Sequence, residues 1–87
     1  MKHRKPFIAG NWKMFKTVSE AVETATQLVK QVGETNIDVM IAPTYTALVS
    51  VSGVTKGTSV SLGAQNLFLE EEGAYTGEIS PAMLKSA

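Results

Sequence analysis

The chain has 87 residues, eight Lys and Arg against eight Asp and Glu, a hydrophobic share of 44% and a charged share of 18%. That size fits at most one small domain, and the balance excludes a disordered charged tail and argues against a nucleic-acid binder, which needs a basic excess on one face. Cysteine is absent, which removes a disulfide framework, a thiolate metal site and a cysteine nucleophile. Pro, Gly, Ser and Thr interrupt every uncharged run before it reaches the roughly twenty apolar residues of a membrane span. The basic start MKHRKPFIAGNWKM has too short an apolar stretch for a signal peptide, so a soluble cytoplasmic protein is the expectation.

After the basic tail, PFIAGN reads as a strand from Phe7 to Asn11, with Gly10 suited to a close backbone approach. The clearest helix follows in TVSEAVETATQLVKQVG. Val18, Ala21, Val22, Ala25, Leu28, Val29 and Val32 fall on one helical face. Thr17 and Glu20 have the spacing of a capping box, Lys30 suits the last turn and Gly33 is the expected stop. Val39 to Ala42, apolar on both parities and ended by Pro43, reads as a strand buried on both faces. Thr44 is the expected cap of a shorter helix carrying Tyr45, Leu48, Val49 and Ser52 and stopped by Gly53. A third strand is expected near Val60 to Ala64, then a long polar loop, then a helix opened by Ser80 and Pro81.

The order β-α-β-α-β-loop-α implies parallel strands joined by right-handed crossovers. Sequentially ordered strands would carry both full helices on one side of the sheet. All three strand cores lack charge, so the opposite side also needs cover, and nothing in the chain is expected to supply it. No internal repeat in residue identity or low-complexity segment is visible.

In parallel α/β sheets ligands gather at the C-terminal ends of the strands. Asn11 and Lys13 stand there, after the first strand. An amide and an ammonium at one strand end can hold an anion; the other reading is that Lys13 is an ordinary exposed loop lysine. Neither a Gly-rich dinucleotide fingerprint nor a Walker-type phosphate loop occurs. His3, the sole histidine, reads as part of a solvated tail, and Glu70, Glu71 and Glu72 read as a solvated stretch rather than a metal site. Trp12 and Phe15 flank Lys13 as packing residues or as aromatic partners of a cation. The loop GAYTGEISP is too long for a simple connection; it either folds on itself or inserts into something.

Three motifs carry a resemblance. GNWKM (Gly10 to Met14), GAQN (Gly63 to Asn66) and GAYTGEISPAM (Gly73 to Met83) occur in the order and spacing of the triosephosphate isomerase family. The resemblance extends over all 87 residues but covers only the first third of a family barrel of about 250 residues. It implies an α/β fold that is a partial TIM (β/α)8 barrel: residues 1–87 as the N-terminal segment of a single barrel domain, with three strands, two complete helices and the start of a third. It implies interconversion of dihydroxyacetone phosphate and glyceraldehyde 3-phosphate through an enediolate, a glycolytic step, without metal or organic cofactor. By the same resemblance Lys13 and Asn11 are catalytic and substrate-binding residues, Lys13 meeting phosphate and developing oxygen charge and Asn11 placing the substrate oxygen and the lysine. The resemblance also implies a homodimer, in which the long loop enters the neighbouring subunit. Thr76 would approach the partner's Asn11 and Lys13, supported by Gln65, Tyr75 and Glu78. Phe15, where many family members carry a smaller polar residue, would lie under the partner's loop. The family's histidine, carboxylate base and main phosphate-binding loops have no match in these 87 residues, so the chain alone is expected to be inactive. The alternative reading is a non-catalytic folding or assembly module that self-associates through exposed strand edges and the long loop. Neither membrane nor nucleic acid is an expected partner.

Overall fold

The computed structural model describes residues 4–87; the reading of His3 as tail lies outside the described residues. The elements are β1 (Phe7–Asn11), α1 (Val18–Val32), β2 (Asp38–Ala42), α2 (Tyr45–Thr55), β3 (Val60–Leu62) and α3 (Pro81–Ser86). The strands form one parallel sheet in the order β1-β2-β3. Ala9 lies opposite Met40 and Asn11 opposite Ala42, while Ile41 lies opposite Leu62.

α1 starts and stops as its sequence specifies. The Thr17 hydroxyl accepts from the Glu20 N–H at 3.3 Å, and the Thr17 N–H donates to the Glu20 carboxylate at 2.9 Å. That reciprocal pair satisfies two of the N–H groups a helix start leaves free. The Thr17 backbone and hydroxyl donors hold the Glu20 carboxyl below its ordinary value, with Lys16 adding to the effect. At the other end Gly33 has φ 56° and ψ −140°, a conformation open to glycine, and its N–H reaches the Val29 carbonyl at 3.1 Å. Ala21 and Ala25 are fully buried, and Leu28, Val29 and Val32 pack beside them.

α2 departs from its sequence reading in three respects. It runs through Gly53 to Thr55. The Gly53 site is open to solvent on its Cβ side, and the left-handed residue falls instead at Gly57, φ 76°. Thr44 is the N-cap residue but makes no capping hydrogen bond, because its hydroxyl pairs with that of Thr46 at 2.9 Å. The buried face is Ala47, Leu48, Val51 and Thr55, while Val49 is 67% exposed. β3 is also shorter than expected, ending at Leu62, although the Gly63 N–H still reaches the Ile41 carbonyl at 2.8 Å.

The core joins Ala21 and Ala25 of α1, Ala47 and Val51 of α2, and Ile41 and Val60 of the sheet. Alanine at three of these six places lets the helices lie close to the strands. Both helices therefore cover one side of the sheet, the side of Ile41. Phe7, Ala9, Asn11 and Ser61 alternate onto the other side and are exposed, Phe7 by 60%. Ile8, on the helix side of the edge strand, is more than half exposed too, so the uncovered surface wraps around the β1 edge. The long loop closes on itself: the Phe68 N–H reaches the Ile79 carbonyl at 2.8 Å and the Phe68 and Tyr75 rings lie 4.4 Å apart, tilted by 43°. A Cβ on Gly73 would collide with that Tyr75 ring. Ser80 caps α3, its hydroxyl accepting from the Met83 N–H at 3.3 Å, with Pro81 at the helix start. Among the described residues, no helix is long and apolar enough to cross a membrane.

Candidate functional site

The site is built at the C-terminal end of β1, where the strand leaves the sheet by a tight turn. The Phe15 N–H donates back to the Trp12 carbonyl at 3.2 Å, and Lys13 occupies the first central position of that turn with φ 53°. For a residue with a Cβ this left-handed conformation costs about 1–2 kcal/mol. It persists because both peptide groups of Lys13 are tied. The Asn11 side-chain oxygen accepts from the Lys13 N–H at 2.9 Å. The Gln65 amide nitrogen donates to the Lys13 carbonyl, also at 2.9 Å.

Gln65 arrives from the segment after β3 and is fixed by a second bond, from the same nitrogen to the Ala42 carbonyl at 2.9 Å. That carbonyl also accepts the Trp12 N–H at 3.1 Å, so it has two donors for its two lone pairs. The ends of all three strands are thus joined at one place: Asn11 and Lys13 from the first, Ala42 from the second and Gln65 from the third.

The donors left over define what the place can do. The Asn11 oxygen is committed to the Lys13 backbone, which leaves the NH2 group of this exposed residue as its uncommitted hydrogen-bonding end. Among the described residues the ion pair is Lys5 with Asp38 at 3.1 Å, and Lys13 has no carboxylate partner. One exposed ammonium and one exposed amide NH2 at a strand end are donors for an anion. No cluster of His, Cys, Asp and Glu suited to a metal ion occurs among the described residues, and Glu70, Glu71 and Glu72 are exposed loop residues.

The other singled-out residues take separate places. Trp12 is half-buried against the core, and the Lys16 ammonium, not that of Lys13, stands 5.9 Å from the centre of its ring. Gly10 leaves ordinary room, with Trp12 Nε1 3.7 Å from a notional Cβ, so the expected close backbone approach is absent. Phe15 is exposed on the turn. Tyr75, Thr76 and Glu78 lie on the long loop, exposed, and no hydrogen bond joins them to Asn11 or Lys13 among the described residues.

Sequence reasoning missed two features. One is the Gln65 tie, since pairing across 52 positions leaves no local pattern. The other is Tyr45, whose hydroxyl is buried without a hydrogen-bond partner among the described residues. Burial pushes this phenol up, the nearby Glu78 carboxylate adds to the rise, and the Asn66 backbone offsets part of it without reaching hydrogen-bond geometry.

Comparison with known proteins bears on this arrangement. A sequence model of the family described as triosephosphate isomerase matches residues 6–87. The triosephosphate isomerase of Caldanaerobacter subterraneus subsp. tengcongensis is 55% identical over 82 residues, covering 94% of this chain and 33% of that protein. That of Clostridium botulinum (strain Loch Maree / Type A3) is 52% identical over 82 residues, with the same coverage. That of Geotalea uraniireducens is 47% identical over 85 residues, covering 97% of this chain and 34% of the relative. The chain thus spans about a third of the length of the curated relatives it matches. With three parallel β/α units in sequential order, a lysine at the first strand end and a family match that starts before β1 and extends through α3, the chain belongs to the triosephosphate isomerase family.

Proposed function

We propose that this chain supplies the first-strand part of an enzyme that interconverts dihydroxyacetone phosphate and glyceraldehyde 3-phosphate. Residues 1–87 then form the first three β/α units of a single barrel. The observation that carries this reading is Lys13: a cation without a carboxylate partner among the described residues, held in a costly backbone conformation by two side chains at the strand end where ligands gather. The names of the relatives agree with it.

In this reading the Lys13 ammonium meets the phosphate and the oxygen on which negative charge grows during proton transfer. A fixed cation stabilises that charge without reorganising at the moment of reaction. The Asn11 NH2 donates to a substrate oxygen while its own carbonyl keeps the lysine backbone in place. The carboxylate that moves the proton and the histidine that polarises the carbonyl are not contributed by this segment. The chain alone is therefore inactive, and the proposed setting is a cytoplasmic homodimer in which Phe15, Gln65, Tyr75, Thr76 and Glu78 lie near the subunit contact.

The test uses the full-length protein. Lys13→Met removes the charge and keeps most of the side-chain volume. Turnover is expected to fall by at least 100-fold, the scale of one lost electrostatic donor, with an unchanged circular dichroism spectrum. Unaltered kinetics would remove Lys13 from the site.

A further inference from the structure

The backbone of Lys13 is fixed from two sides, and one of the two clamps comes from elsewhere in the chain. Asn11 holds the N–H from two residues away. Gln65 holds the carbonyl from 52 residues away, and the same amide nitrogen is anchored on Ala42, the residue opposite Asn11 in the sheet. Because φ is 53°, the Lys13 side chain leaves the turn in a direction that an ordinary extended residue would not give. Rotation of the Lys13–Met14 peptide would move the carbonyl and redirect the chain around it. The Gln65 bond opposes that rotation and refers it to the sheet, the most regular part of the molecule.

From this geometry we infer that Gln65 is a positioning residue for Lys13 within its own subunit. The NH2 group is used inside the chain, while the side-chain oxygen remains for a second contact, so a role at a subunit boundary is compatible but not required. The chemistry is specific to a neutral amide. The NH2 group brings two hydrogens to two carbonyl oxygens. A carboxylate would bring none and would repel both, and a thioether of similar length would leave both carbonyls without this donor. The inference rests on the proposed role of Lys13 in holding a phosphorylated substrate.

The test is a double-mutant cycle in the full-length protein, read by calorimetric binding of glycerol 3-phosphate, a three-carbon phosphate with no carbonyl to react. Gln65→Met is expected to weaken binding about fivefold when Lys13 is present, the scale of one net hydrogen bond. In a Lys13→Met background the same change is expected to weaken it less than twofold, because the lysine through which Gln65 acts is gone. Gln65→Glu is expected to weaken binding at neutral pH by at least as much as Gln65→Met. Equal losses in both backgrounds, or no loss in the first, would overturn the positioning role while leaving the substrate reading in place. Failure of the unaltered protein to bind glycerol 3-phosphate would overturn both. Matching circular dichroism spectra and melting curves across the variants separate these results from misfolding.

Discussion

Lys13 and Tyr45 are two residues that this short molecule holds at a cost, as it does Lys16 at φ 78°. Lys13 sits at positive φ and is compensated by two hydrogen bonds to its peptide groups. Tyr45 buries a hydroxyl that finds no partner among the described residues, which costs about 1–3 kcal/mol for an ordinary polar group. Tyr45→Phe is therefore expected to leave stability unchanged or raise it by up to about 1 kcal/mol. The sign of the pH effect follows from the raised pKa of Tyr45, burial being the main cause. The folded state keeps the phenolic proton longer than the unfolded state, so the stability linked to it is intact below the ordinary tyrosine range. It is lost as pH rises through the raised value. Denaturant melts above pH 10 should show this alkaline decline in the unaltered protein and a shallower one in Tyr45→Phe; identical alkaline limbs would contradict the burial argument.

At the scale of elements, legibility in the sequence followed the locality of the physics. α1 was readable because its signals are adjacent: a Thr17–Glu20 box, an apolar face and a glycine at the end. β1 and β2 were readable as short uncharged runs closed by Asn11 and by Pro43. α2 was readable at its start, after Thr44, but not at its end, because Gly53 carries a stop signal that the helix overrides. Val51 before it packs in the core and Thr55 after it is buried, and tertiary burial outweighs a weak local preference. The override makes Gly53→Ala informative. The position is helical, exposed and clear of neighbours. Alanine there is expected to add about 0.5–1 kcal/mol, a rise of roughly 1–4 °C in the melting temperature of a protein of about 250 residues. A fall in melting temperature would mean that the helix does not pass through residue 53. Of the candidate site, Asn11 and Lys13 were legible from their place after a strand. The function of Gln65 inside the chain was not, since a contact made by folding has no signature in spacing.

The whole molecule is one-sided. Two helices cover the Ile41 side of a three-stranded sheet, and the side carrying Phe7 and Ala9 meets solvent. Right-handed crossovers between sequential neighbours force this outcome, which is why the uncovered face could be anticipated without coordinates. Among the described residues the outer edges of β1 and β3 are unpaired as well, and free parallel edges invite further strands. The 87-residue polypeptide by itself is therefore expected to bind a hydrophobic dye and to elute above its monomer mass of 9.3 kDa. A sharp monomer peak with a cooperative melt and no dye binding would overturn that expectation. The bond from Gln65 to Lys13 has a temporal consequence too. Synthesis delivers Lys13 to the ribosome exit 52 residues before the glutamine that secures its turn. The lysine peptide therefore matures on the schedule of the third strand rather than its own. Until that strand docks, the nascent polypeptide carries its cation on an unlatched hinge.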